Sequence, residues 1–154
     1  MPASAKPSAR LIALAAPLAL LGGAYFSQYV FGLHPCEMCW WQRYPHFAAV
    51  AFALLAFARP PGRVFVALAG LALLVTGLIG GFHAGVEYGW WQGLTACSSN
   101  NLGDDPLKAI MSAPVVRCDV APWSLFGISL AGWNFVFSTA AAIAIFALLR
   151  KEKA

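Results

Sequence analysis

Four apolar runs decide what this chain can fold into. A hydrocarbon layer about 30 Å thick needs roughly 20 apolar residues at about 1.5 Å of rise each. Leu11–Leu33 supplies 23 residues without a charge, and Val64–Phe82 supplies another 19. Trp40–Ala58 supplies 19 but opens with Gln42, Arg43 and His46, and Trp123–Leu149 supplies 27, more than one crossing needs. The 154 residues are 60% hydrophobic and only 10% charged, where an ordinary soluble domain carries about 25% charged residues. Lipid is therefore the main solvent. The pattern predicts an all-α membrane protein, a four-transmembrane-helix bundle forming one domain over 1–154, with a long outer loop over 83–122.

The first run follows Lys6 and Arg10 as a secretion signal would, but it continues through "YFSQYVFGL" and is long enough to span, so it reads as a retained helix. Pro17 predicts a bend in it. The basic residues set the orientation. Lys6, Arg10, Arg59, Arg63, Arg150, Lys151 and Lys153 fall at the termini and in the short "RPPGR" connection, whereas Arg43, Lys108 and Arg117 fall on the other side. Both termini are thus expected in the cytoplasm. The net charge of +4 is spread over these membrane flanks and not over a soluble face, which argues against a nucleic-acid partner.

In the outer loop, "EYGWWQG" places Tyr88, Trp90 and Trp91 at the level of an aromatic belt. Leu107, Ile110 and Met111 recur at helical spacing, so Pro106–Ser112 is expected to be a short interfacial helix. Gly77, Gly81 and Gly85 lie four apart on the third run. That spacing favours close approach of a neighbouring helix, and it also leaves room for a flat ligand.

Cys36, Cys39, Cys97 and Cys118 all fall on the outward side, and their even count points to two disulfides. Three pairings are open. Zinc is disfavoured because Cys97 and Cys118 lack the short spacing that structural sites repeat, so no metal is expected. Cys36 and Cys39 form a Cys-x-x-Cys pair where a helix starts, with Pro35 suited to the first helical position. Such a position favours the thiolate. Arg43 follows Cys39 by four residues, on one helical face, although Pro45 could bend the chain there. A permanent cation at that depth needs an anion, a dipole or water. His83 and Glu87 are also four apart, and His83 is a candidate to line or protonate a ligand. Interfacial placement is sufficient to explain His34 and His46. Two readings follow: a redox enzyme, or a non-enzymatic membrane scaffold stabilised by two disulfides.

The stretches "HPCEMCWWQRYPH", "GFHAGVEYGWW", "ACSS", "APVVRCD" and "PWSLFGISLAGWNF" resemble the disulfide bond formation protein B family over essentially the whole chain. The resemblance implies a bacterial inner-membrane, multi-pass thiol:quinone oxidoreductase with its redox cysteines on the periplasmic side. Its partner would be a periplasmic thioredoxin-like dithiol oxidase, and its cofactor a quinone, ubiquinone or menaquinone, drawn from the lipid pool. It further implies that Cys97 and Cys118 receive electrons from the partner, that Cys36 and Cys39 pass them on, and that Arg43 and His83 lie by the quinone.

Overall fold

Arg10 and Arg63 show how the apolar runs fold back on one another. In the computed structural model, which describes residues 7–59, 61–95, 97 and 116–151, α1 is Pro7–Val30, α2 Glu37–Ala58, α3 Gly62–Glu87 and α4 Leu130–Lys151. A two-stranded hairpin, β1 Ser124–Leu125 and β2 Ile128–Ser129, precedes α4. Arg10, at the start of α1, lies over the Phe57 ring near the end of α2 and against Gly62 at the start of α3. Arg63 donates to the Leu149 carbonyl at the end of α4. The four helices therefore alternate in direction. Arg10, Arg59, Arg63, Arg150 and Lys151 gather at one end, and Cys36, Cys39 and His83 at the other. Lys6, Lys108, Lys153 and the expected interfacial helix Pro106–Ser112 lie outside the described residues.

By length and composition α1, α3 and α4 are each apolar enough to cross a membrane. α2 has the length, but Gln42, Arg43 and His46 dilute its first turns. Both α1 and α2 run on through Pro17 and Pro45. α3 is the central element, packed along α2 and α4, and α1 closes the far side against both. Where the helices meet, the core is built from small side chains, among them Ala13, Ala53, Ala69 and Ala142, around Val66, Leu73 and Ile145. Leu18, Leu54, Leu71, Leu78 and Ile143 point outward and are exposed, as expected where lipid supplies the apolar surroundings.

The glycine spacing on α3 serves packing. A Cβ at Gly77 would stand 2.6 Å from Thr139 Oγ1, and one at Gly81 3.0 Å from the Phe135 ring, both on α4. At Gly85 it would run into the Trp91 indole, which stacks on Phe82 and donates to the Phe82 carbonyl. Gly80, which lies on the same side, lets the α4 backbone approach directly. None of these glycines borders the cavity described below, so the flat-ligand reading of the spacing does not hold.

Two boundaries differ from the sequence expectation. The fourth run is not helical from Trp123, because Phe126 and Gly127 turn with φ of 53° and 77° and close a hairpin. Two left-handed residues give a turn whose twist matches paired strands. Tyr88 holds this hairpin by donating to the Gly127 carbonyl and accepting the Ser129 N–H, both at 2.9 Å. α4 is thereby cut to 22 residues, one crossing. α3 continues past Phe82 to Glu87, so His83 and Glu87 belong to its last turns and not to the loop.

Gly80→Ala is expected to lower the unfolding midpoint in detergent, since its Cβ would lie 2.9 Å from the Ala131 carbonyl oxygen and 3.1 Å from the Phe135 nitrogen. Overpacking against backbone costs about 1–3 kcal/mol. A thermal melt followed by tryptophan fluorescence checks it, and an unchanged midpoint would mean that α4 can retreat freely.

Candidate functional site

The site begins at the amino end of α2. Cys36 is the N-cap residue, in extended conformation, and its Sγ accepts the Cys39 N–H at 3.2 Å. Pro35 therefore precedes the cap and does not occupy the first helical position. Cys36 is buried and Cys39 half-buried, with their sulfur atoms 2.7 Å apart. They stand as thiols in contact. The one disulfide among the described residues joins Cys97 to Cys118, with Cα atoms 5.3 Å apart, so the expected pair of disulfides is represented by one bond and one dithiol.

Helix-start stabilisation of the thiolate does not prevail at Cys36. Its hydrogen bond to the Cys39 side chain, followed by burial, pushes the Cys36 thiol up, against the smaller lowering by the Cys39 N–H. A thiol that holds its proton is a poor nucleophile but remains a target for exchange once oxidised.

Cys36 shares a buried cluster with Met38, Val86, Cys97 and Cys118. Cys118 is wholly inaccessible, while Cys97 retains 8% exposure. Thr95 supports the disulfide, its hydroxyl lying 3.0 Å from Cys97 Sγ and donating to Cys118 Sγ at 3.5 Å. The fold thus brings the loop disulfide against the Cys-x-x-Cys pair at one end of the bundle.

His83 joins the two. Gln42 Nε2 donates to the Met38 carbonyl at 3.2 Å and to His83 Nδ1 at 2.8 Å. With Nδ1 accepting, Nε2 carries the ring proton and donates to the Cys118 carbonyl at 3.1 Å, with Cys36 Sγ 3.7 Å away. Gln42 is itself fixed by Asn134, whose Nδ2 donates to Gln42 Oε1 at 2.8 Å. Asn134 Oδ1 accepts from Ser138 and from His46 Nε2, and Thr76 donates to the Gln42 carbonyl. This network crosses α2, α3 and α4. Sequence reasoning missed Gln42, Thr76, Asn134 and Ser138, and it placed His46 at the interface although His46 is only 4% exposed. The available signal was one of spacing, since Asn134 and Ser138 are four apart in an otherwise apolar run, as are Gln42 and His46. His34, by contrast, is exposed.

Below the cysteines a cavity of about 270 Å³ opens between α1, α2 and α4. Ala19, Leu20, Leu130 and Phe137 form apolar walls, and Cys39, Arg43, His46, His83 and Glu87 supply polar groups. Cys36 does not reach it. Arg43 is 5% exposed and does not extend to water. Its Nη1 donates to Gln28 Oε1 at 2.7 Å and Nη2 to the Ala24 carbonyl at 3.3 Å, and its guanidinium lies over Tyr25 and Trp40 at 4.7 and 5.0 Å. These contacts satisfy the cation with dipoles and rings, and no carboxylate among the described residues pairs with it. Two buried polar atoms at the cavity lack a partner among the described residues, His46 Nδ1 and Glu87 Oε2. The cluster of Cys36, Cys39 and His83 has ligand atoms within 4.8 Å of one another, but the His83 nitrogen facing the sulfurs carries its proton.

Residues 6–148 match the family model of disulfide bond formation protein DsbB. The chain is similar to Disulfide bond formation protein B of Marinobacter nauticus, 31% identical over 144 residues that cover 86% of this chain and 85% of the relative. It is also similar to the proteins of that name from Aromatoleum aromaticum, 32% identical with 86% of each covered, and Verminephrobacter eiseniae, 32% identical with 92% and 84% covered. No solved structure gives a significant match.

In the protein with its inner dithiol reduced, Cys36 is expected to react with iodoacetamide more slowly than an unhindered thiol across neutral pH, because little of it is thiolate. Mass spectrometry of the alkylated peptide measures this. Reaction at the rate of a free thiol would show that the contact with Cys39 does not hold the Cys36 proton.

Proposed function

The chain belongs to the disulfide bond formation protein DsbB family, and on that premise we propose that it is a protein-dithiol:quinone oxidoreductase of the bacterial inner membrane, re-oxidising a periplasmic thioredoxin-like dithiol oxidase. The observation that carries this reading is the division of labour between two adjacent sulfurs. Cys36 faces the Cys97–Cys118 disulfide, whereas Cys39 opens on the cavity bordered by Arg43.

The topology that goes with it has α2 as the fourth span, both termini in the cytoplasm and the cysteines in the periplasm. α2 tolerates the membrane because Gln42, Arg43 and His46 are buried against protein, and a polar side chain at such depth is acceptable when its partners are internal.

Electrons enter by thiol–disulfide exchange. A thiolate of the partner attacks Cys97 Sγ, the more accessible sulfur, and Cys118 leaves as a thiolate. Cys118 attacks Cys36 of an inner Cys36–Cys39 disulfide, and Cys39 leaves into the cavity. The second thiol of the partner then resolves the mixed disulfide at Cys97, and Cys97 reforms its bond with Cys118. When Cys97–Cys118 is bonded and Cys36 and Cys39 are thiols, two electrons have reached the inner pair.

The cavity suits a ring bearing carbonyl oxygens. Its walls are apolar, its size is near the lower end of small-molecule pockets, about 300 Å³, and the Arg43 guanidinium borders it as a cation with N–H groups that a carbonyl oxygen can accept. Arg43 would hold a quinone oxygen there, with His46 and His83 lining the ring's pocket. Bound in that cavity, a quinone supplies an acceptor for two electrons and two protons. Arg43 would stabilise negative charge on Cys39 and on a quinone oxygen, a preorganised electrostatic contribution in a dry site. Re-formation of the Cys36–Cys39 bond returns the chain to its starting state.

Purified protein supplied anaerobically with a reduced periplasmic dithiol oxidase should consume quinone, read from its ultraviolet absorbance, with matching disulfide formation in the donor. Cys39→Ser should abolish the consumption. No consumption with intact cysteines and a competent donor would favour the scaffold reading or another acceptor. Arg43→Ala is expected to weaken quinone use by about 10²–10³-fold in turnover over KM, the scale on which single charge-stabilising groups act. Unchanged steady-state constants would remove Arg43 from the site.

A further inference from the structure

Glu87 is not used by the exchange steps above, yet its surroundings are unusual for a carboxyl. It ends α3, one turn beyond His83, and its side chain is only 2% exposed. Oε1 lies 3.8 Å from His83 Nε2, and Ser129 at the foot of α4 hydrogen-bonds the carboxyl group. Oε2 has no partner among the described residues. A buried carboxyl oxygen is costly to leave unpaired.

The second observation is one of connection. Besides the 270 Å³ cavity, two grooves open around this helix end. One, of about 690 Å³, runs beside Cys36, Cys39, His83 and Arg117. The other, of about 570 Å³, is bounded by Trp90, Gln92 and Asp119. Among the described residues Glu87 is the one that lines all three spaces. Asp119 at the outer groove is kept ionised by Arg117, whose Nε donates to it at 2.8 Å and whose guanidinium holds its carboxyl below the usual carboxylate range. The buried carboxyl thus stands between the thiol pair, a polar outer groove and the electron-accepting cavity.

We propose that Glu87 is a proton-transfer site, passing a proton from the thiol pair and the outer groove into the cavity as electrons leave Cys39. This rests on the quinone reading given above. When the Cys36 thiol and the Cys39 thiolate close their S–S bond, two electrons pass to the quinone with the Cys36 proton, and the second proton of the quinol enters from the outer groove. Glu87 would give a proton to a quinone oxygen held in the cavity. It regains one from the Cys36 thiol, directly or through water in the shared groove, so its own protonation is unchanged over a turnover. His83 is committed elsewhere during this transfer, because its ring proton is held by the Cys118 carbonyl and its other nitrogen by Gln42.

The test uses the full-length protein in detergent, with Glu87→Gln, which keeps the shape and removes the exchangeable acid, and Glu87→Ala, which opens space for a small acid. Glu87→Gln should lower kcat for quinone reduction by about a hundredfold, the low end of general acid–base contributions, with KM for quinone unchanged. Formate should restore part of the rate to Glu87→Ala and none to wild type. Independently of quinone, infrared difference spectra on reduction of the Cys36–Cys39 pair should contain a carboxyl C=O band that moves in D₂O and is absent from Glu87→Gln. Wild-type kcat in Glu87→Gln, or an infrared spectrum identical to wild type, overturns the proposal. So does a loss of rate that comes with raised KM and no rescue by formate, which would make Glu87 a positioning residue. If wild-type protein with a competent donor consumes no quinone, the quinone reading fails and this inference fails with it, whereas an active wild type beside an equally active Glu87→Gln rejects the inference alone.

Discussion

A polar group inside a membrane protein must find its partner within the protein, and the arrangement around α2 follows from that constraint. Gln42, Arg43 and His46 would disqualify α2 as a span if they faced lipid. Instead Gln42 is held by His83 and Asn134, His46 by Asn134, and Arg43 by Gln28, the Ala24 carbonyl and two aromatic rings. Together these contacts tie α2 to α1, α3 and α4, so the polar residues that dilute its apolar character also fix its rotation. Close packing supplies the complementary half. Small residues bring α3 and α4 together, and Asn134 reaches Gln42 only because Gly80 lets the α4 backbone approach.

The same network positions the sulfur chemistry. His83 is bonded on one side to Gln42 and on the other to the Cys118 carbonyl, so the loop disulfide and the helix-start dithiol are indexed to one imidazole. Cys36 and Cys39 are three residues apart but face different surroundings, one a buried sulfur cluster and the other an apolar cavity. The proposed relay between a water-borne reductant and a lipid-borne oxidant would need that asymmetry, and a helix start supplies it. The cap residue stays outside the first turn, while the residue three positions on is already part of it.

Much of the architecture was legible in the chain itself. Apolar runs near the length of a bilayer placed the helices, and the segregation of basic residues anticipated which helix ends would meet. The errors have specific causes. Trp123–Leu149 looked like one long helix because strand and helix share apolar composition, and only the positive φ of Phe126 and Gly127 reveals the hairpin. His46 was assigned to the interface from its position, but helix rotation turned it inward to Asn134, 88 residues away. Even cysteine number pointed to two sulfur pairs, and the structure sets Cys97 bonded to Cys118 and Cys36 beside Cys39.

The sequence by itself determined the solvent, the number and approximate reach of the helices, and the four sulfur atoms with an arginine one turn beyond the pair. Those are properties of composition and of local periodicity, which each segment carries alone. Which sulfur meets the loop disulfide and which meets the cavity was decided only by the tertiary structure. So were the tautomer of His83 and the isolation of the Glu87 carboxyl. Each depends on how far one helix is rotated against another, and a rotation is set by the sum of contacts among residues distant in the chain.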